Sequence, residues 1–167
     1  LVALYRRALT NIERTRIEQA AAAALEEAGE RAPAELESVR QGTEKLRAVE
    51  PVYDLKISDK ATLQELNQRL ADEKASLVEA QEQLKTLRNQ YNTLVARPAL
   101  ARARIGDART EREAAISEAN APPPIGEMRA ITEARHTHLE SRVNRLGAEI
   151  RKLDQELLTH EVRQALL

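Results

Sequence analysis

The sequence predicts an all-α fold: an elongated antiparallel bundle of long, coiled-coil-like helices. Three observations predict it. Core slots at heptad spacing run from residue 63 to residue 94, and all but one are apolar or aromatic. Aromatic residues make up only 2% of the 167 residues, with no Phe and no Trp, so a core must be filled by Leu, Ala, Ile and Val. Ala, Glu, Arg, Leu and Gln dominate, and all favour helix.

The heptad row is the strongest signal. With Leu63 in the first slot, the core positions are Leu63, Leu66, Leu70, Glu73, Leu77, Ala80, Leu84, Leu87, Tyr91 and Leu94. Only Glu73 breaks the row, as a solvated gap or a register device. Apolar residues every 3.5 positions define a narrow seam for lengthwise packing. A helix of this length spans roughly 50 Å and needs long partners. If the seam is buried, Leu84→Ala costs about 2–5 kcal/mol and Gln83→Ala little.

The first helix is expected over residues 1–31, with an apolar stripe of Leu1, Leu4, Tyr5, Ala8, Leu9 and Ile12. Gly29 and Pro33 read as a break, and Pro33 suits the first turn of a shorter helix over 33–49. Pro51 opens a connection in which Val52, Tyr53, Leu55 and Ile57 are apolar enough to pack on the rods. This divides the chain into 1–61, helices and connection, and 62–167, the long-helix bundle.

Thr62 and Glu65 stand at capping-box spacing before the leucine row, with Ser58 and Asp59 as competing caps. Pro98 is expected to end the rod. A turn or a kink fits; the turn is preferred because an antiparallel return over 98–119 supplies the long partner. Pro122, Pro123 and Pro124 form a stiff stop. The last helix begins near Glu127 with a seam of Leu139, Val143, Leu146, Ile150, Leu153 and Leu157, continued upstream by Ile125, Met128 and Ile131. The C-terminal end carries no stop signal, so the natural chain is expected to continue.

Charge and chemistry point away from catalysis. Net charge is −1, and the signs are mixed locally. Arg97, Arg102, Arg104, Arg109 and Arg112 are interleaved with Asp107, Glu111 and Glu113, the mark of a solvated face and not of a nucleic-acid site. There is no cysteine, hence no disulfide or thiol chemistry. No apolar run reaches membrane-span length. Glu133 and His136 have ligand spacing, but a di-metal bundle needs a second such motif and two further glutamates. His136 and His138 point to different sides of a helix, and His160 reads as a seam residue. No enzyme, no cofactor, no metal and no small-molecule substrate is expected.

Several stretches resemble one family. Residues 62–70, TLQELNQRL, are similar to the S-L-x-Q-L-E-x-R-(L/V) opening of a helical repeat in the periplasmic part of MscK/KefA-type mechanosensitive channels. The Ala/Gln/Leu seam of 77–87 follows it. Residues 91–98, YNTLVARP, resemble the family's L-x-x-L-Q-T-x-P-E element, with Ala96 for its threonine and Ala99 for its glutamate. Residues 27–33 match an A-P break, and the proline loop sits where the family has a variable loop. The resemblance covers most of the chain. It implies a periplasmic structural or regulatory domain of an inner-membrane channel of the MscS superfamily, whose pore lies elsewhere. It further implies potassium and solute efflux in osmotic shock, partners among the other regions and subunits of the same homo-oligomeric channel, and membrane attachment through segments outside this chain. A generic coiled-coil adaptor or envelope tether is the alternative.

Overall fold

The computed structural model describes residues 1–48 and 61–166; the last position of the helix expected over 33–49 and the expectations for Pro51, Val52, Tyr53, Leu55, Ile57, Ser58 and Asp59 lie outside them. Four helices occur in order: α1 Val2–Ala48, α2 Leu63–Asn120, α3 Arg129–Leu158 and α4 His160–Ala165. The described residues form no strand.

α3 is the central element. It packs on both α1 and α2, while α1 and α2 make no contact with each other among the described residues. The reason lies in two seams on α3. Leu139, Leu146 and Leu153 are buried, with Val143, Ile150 and Leu157 half-buried beside them. Leu153, Ile150 and Leu157 pack with Ala101 and Ile105 of α2. Ala134, Ser141 and Ala148 repeat at the same spacing and are also buried. Two positions along a helix turn it by about 200°, so Leu139 and Ser141 face opposite sides. α1 and α2 therefore flank α3 as a row of three helices.

Directions follow from the contacts. Asn11 reaches Ser141, Glu18 reaches Lys152, and Gly29 abuts Thr159, so α1 runs parallel to α3. Arg97, Arg104 and Glu111 meet Glu156, Glu149 and Arg142, so α2 runs antiparallel to α3. The α1–α3 packing crosses the division expected at residue 61.

The seam of α1 differs from the expected stripe. Leu4, Ala8, Asn11, Thr15, Glu18, Ala22, Leu25, Gly29, Ala32 and Leu36 are its inward residues, in steps of four and three. Leu1, Tyr5, Leu9 and Ile12 are exposed. Apart from Leu4, Leu25 and Leu36 this seam is made of small and polar side chains, which let α1 lie close to α3. At Gly29 an added Cβ would stand 2.6 Å from Thr159 Cγ2.

Neither Gly29 nor Pro33 breaks the helix; both lie inside α1. Pro98 likewise lies inside α2, which has neither a turn nor a separate return helix. Each internal proline removes one amide donor and crowds the carbonyl four residues earlier. Tertiary packing carries the helix past both sites: Ala32 beside Pro33 and Ala101 one turn after Pro98 are 1% exposed, the latter packed on Leu153 of α3.

α2 ends at the proline loop. Pro124 accepts from the Glu127 amide at 3.1 Å, closing a turn in which Gly126 has φ +81°, a value that favours glycine. Glu127 then accepts from Thr132 Oγ1 and Arg135 Nη2, each at 2.7 Å, fixing the entry to α3. Ile125 and Met128 do not extend the seam; both are exposed, because they sit in this loop and at its junction with the helix. At Thr159 the rod hitches and passes into α4: the Thr159 amide donates to Gln155 O and its carbonyl accepts from Arg163 N.

Candidate functional site

The candidate site is the leucine face of α2 and the anchor that holds α2 on α3. Its start is built as the sequence predicts. The Glu65 amide donates to Thr62 Oγ1 at 3.3 Å, and the Thr62 amide donates to Glu65 Oε2 at 2.8 Å. The closed capping box holds the Glu65 carboxyl below its usual range, chiefly through the Thr62 backbone bond.

From that cap the helix leaves the row of three. Leu63, Leu70, Leu77, Leu84, Leu87 and Tyr91 are all exposed, and Leu66 and Leu94 are half-buried. Among the described residues the ladder is therefore not a packed core. The cause is length: α4 ends opposite Tyr91, where Gln164 Nε2 donates to the tyrosine oxygen at 3.2 Å. Before that point α2 runs out past the end of α4. The weaker-looking stretch after Pro98 carries the buried residues instead: Ala101, Ile105, Ala108 and Ala115.

Exposed and buried parts share one face. Steps of four and three lead from Leu87 through Tyr91, Leu94 and Pro98 to Ala101, Ile105 and Ala108 without a change of phase. Where the two parts meet, a groove of about 740 Å³ opens between Thr86, Gln90, Leu94, Glu156 and Leu166.

The anchor is a ladder of ion pairs, one every seven residues. Arg97 Nη2 donates to Glu156 Oε2 at 3.2 Å, with a second bond from Nε to Oε1. Arg104 donates from Nε and Nη2 to the two oxygens of Glu149, at 2.7 and 3.0 Å, and from Nη1 to Glu111 at 2.7 Å. Arg142 stands 3.8 Å from the other Glu111 oxygen, and Arg145 bonds Glu149 at 3.3 Å. Side-chain bonding to Glu149 and then Glu111 raises the Arg104 pKa, and Arg104 in turn lowers that of Glu111. Of the arginines read as a solvated face, Arg102, Arg109 and Arg112 are exposed, with Arg112 Nε lying over Gly147, while Arg97 and Arg104 bind α3. The seven-residue spacing of Arg97, Arg104 and Glu111 against Glu156, Glu149 and Arg142 is legible in the sequence once the antiparallel register is known.

On the opposite face of α3, the Asn11 amide nitrogen donates to Ser141 Oγ at 3.2 Å and lies 3.5 Å from His138 Nδ1. The Ser141 hydroxyl donates in turn to the His138 carbonyl at 2.7 Å. Burial first, then Arg7 and Arg142, lower the His138 pKa against the pull of Glu118. Glu133 is taken up by Arg129 at 2.8 Å, and His136 faces Glu140 at 3.4 Å. No group of three or more potential metal ligands occurs among the described residues. No described helix is long and apolar enough to cross a membrane.

The arrangement can bind through α2 and brace through α3. A family model described as the mechanosensitive ion channel porin domain matches residues 1–167. No curated protein and no solved structure shows a significant match.

Proposed function

The chain belongs to the mechanosensitive ion channel porin domain family, and on that footing we propose that it is a non-catalytic periplasmic domain of an MscS-superfamily channel, of the MscK/KefA type. In this reading it is a rigid strut outside the pore that modulates gating in hypo-osmotic shock, when the channel releases potassium and solutes. Its partners are other regions and subunits of the same channel at the periplasmic face of the inner membrane. The observation that carries the reading is the whole-length family match, joined to three braced helices that present an unfilled leucine face.

Two measurements test it. Because these 167 residues hold no cysteine, Gln83→Cys in the natural full-length protein adds one reporter in this domain, read against the unsubstituted protein. A membrane-impermeant maleimide should label that position from the periplasm in whole cells; labelling only after lysis would refute the location. Deleting residues 1–167 should shift the tension threshold in patch recordings, and an unchanged threshold would refute the gating role.

The exposed ladder favours a second reading, a coiled-coil adaptor for the envelope without channel activity. Tension-gated currents from the full-length protein would exclude it.

A further inference from the structure

The inward seams of α1 and α2 do not stop where α4 stops. On α2 the row runs from Leu94 back to Leu63 in phase with the buried Ala101, Ile105 and Ala108. On α1 the same steps continue from Ala32 to Leu36, Val39 and Leu46, with Val39 50% and Leu46 77% exposed. Each row thus continues, in phase, the face that its helix turns to α3 and α4.

The edges of the α2 row are of one sign. One edge carries Asn67, Lys74, Gln81, Arg88 and Val95, and no acid stands on either side. Further along, the other edge carries Arg97 and Arg104, where α3 supplies Glu156 and Glu149. The established interface thus shows what the free part lacks: an apolar seam flanked by carboxylates. Two copies of this row would set only basic and neutral side chains against each other, giving no attraction between edges.

We propose that residues 63–94 of α2, together with 36–46 of α1, form a docking groove for one further helix from outside these 167 residues. The occupant has leucine-like residues at heptad spacing and glutamate or aspartate beside them. It runs antiparallel to α2, as α3 does, and carries a basic residue opposite Glu73. The inference rests on packing and charge, independently of any channel role.

The test uses the intact chain and two synthetic four-heptad peptides. Both have leucine at the core slots and lysine opposite Glu73. One has glutamate at every flanking slot and the other lysine, so neither pairs with itself. Sedimentation of fluorescent peptide should show one-to-one binding of the glutamate peptide and at least tenfold weaker binding of the lysine peptide. Leu77→Asp with Leu84→Asp changes exposed residues only; it should leave the helical circular dichroism intact and weaken binding at least tenfold. Lys74→Glu with Arg88→Glu should reverse the preference between peptides. Equal binding of both peptides, no binding of either, or self-association of the chain through Leu77 and Leu84 would each overturn the proposal.

Discussion

Arg104 holds Glu149 with two parallel hydrogen bonds, of 2.7 and 3.0 Å, and holds Glu111 on its own helix with a third. One guanidinium therefore fixes both the rotation of α2 and its register on α3. A fork-to-fork pair of this kind is stronger and more directional than a single surface contact. Arg104 is about a third exposed, which screens the pair and keeps its net worth near that of a good surface bridge.

Arg104→Met should destabilise the chain by about 1 kcal/mol, since it keeps the stem and loses the fork. A double-mutant cycle with Glu149→Gln, read by urea denaturation, should give a coupling of about 0.5–1 kcal/mol that shrinks in high salt. Additive effects at low salt would mean that the pair does not set the register.

Leu146 and Leu84 stand at equivalent places in two heptad rows but in opposite surroundings. Leu146 is 0% exposed and Leu84 49%. Leu146→Ala should cost about 2–5 kcal/mol. Leu84→Ala should stay within about 0.5 kcal/mol, and not the larger cost expected of a buried seam. Similar costs at the two positions would place a partner on the ladder within the chain.

This contrast shows where sequence reasoning reaches its end. The spacing of Leu63 to Leu94 states what one face of α2 is made of. It does not state whether the matching face lies within the same 167 residues. The Thr62–Glu65 cap, the proline stop and the seam of the last helix were legible because each is settled by neighbours in sequence. Pro98 was not, because a turn and an uninterrupted helix share the same local signal, and the choice falls to Ala101 and Ile105 packing on α3. The α1 seam was hidden for another reason. Ala8, Asn11, Thr15 and Glu18 are small or polar, so periodicity drew attention to the exposed Tyr5, Leu9 and Ile12 instead.

Two glycines should respond in opposite ways. Gly29 lies where a Cβ would meet Thr159, so Gly29→Val should cost about 1–3 kcal/mol through forced separation of α1 and α3. Gly106 has open space around it inside α2, so Gly106→Ala should stabilise by up to about 1 kcal/mol. Thermal unfolding of both variants checks the pair, and a stabilising Gly29→Val would contradict the close approach.

Stability should fall on mild acidification through His138. Its folded pKa lies below the ordinary 6.5, from burial and then Arg7 and Arg142. The unfolded chain therefore binds the proton more readily, and stability is lost as pH drops through 6.5 toward the folded value. Protonation also sets a ring N–H against the Asn11 amide. Between about pH 8 and pH 5 the urea midpoint should decline, and His138→Gln should flatten the decline. Staying above pH 5 keeps this effect apart from Glu111, whose depressed carboxyl pKa acts below its ordinary 4.5. An unchanged slope in His138→Gln would assign the decline elsewhere.

The measurement closest to the central claim is one distance along α2. Spin labels at Gln83→Cys and Glu113→Cys stand on exposed positions either side of Pro98, in a chain with no other cysteine. A continuous helix, rising about 1.5 Å per residue, places them about 45 Å apart. Pulsed electron–electron resonance should return that distance if α2 runs through Pro98 and carries its leucine face clear of α3. A separation of about 10–20 Å, the spacing of two packed helices with their labels, would mean that the chain folds back at Pro98 and would contradict the account.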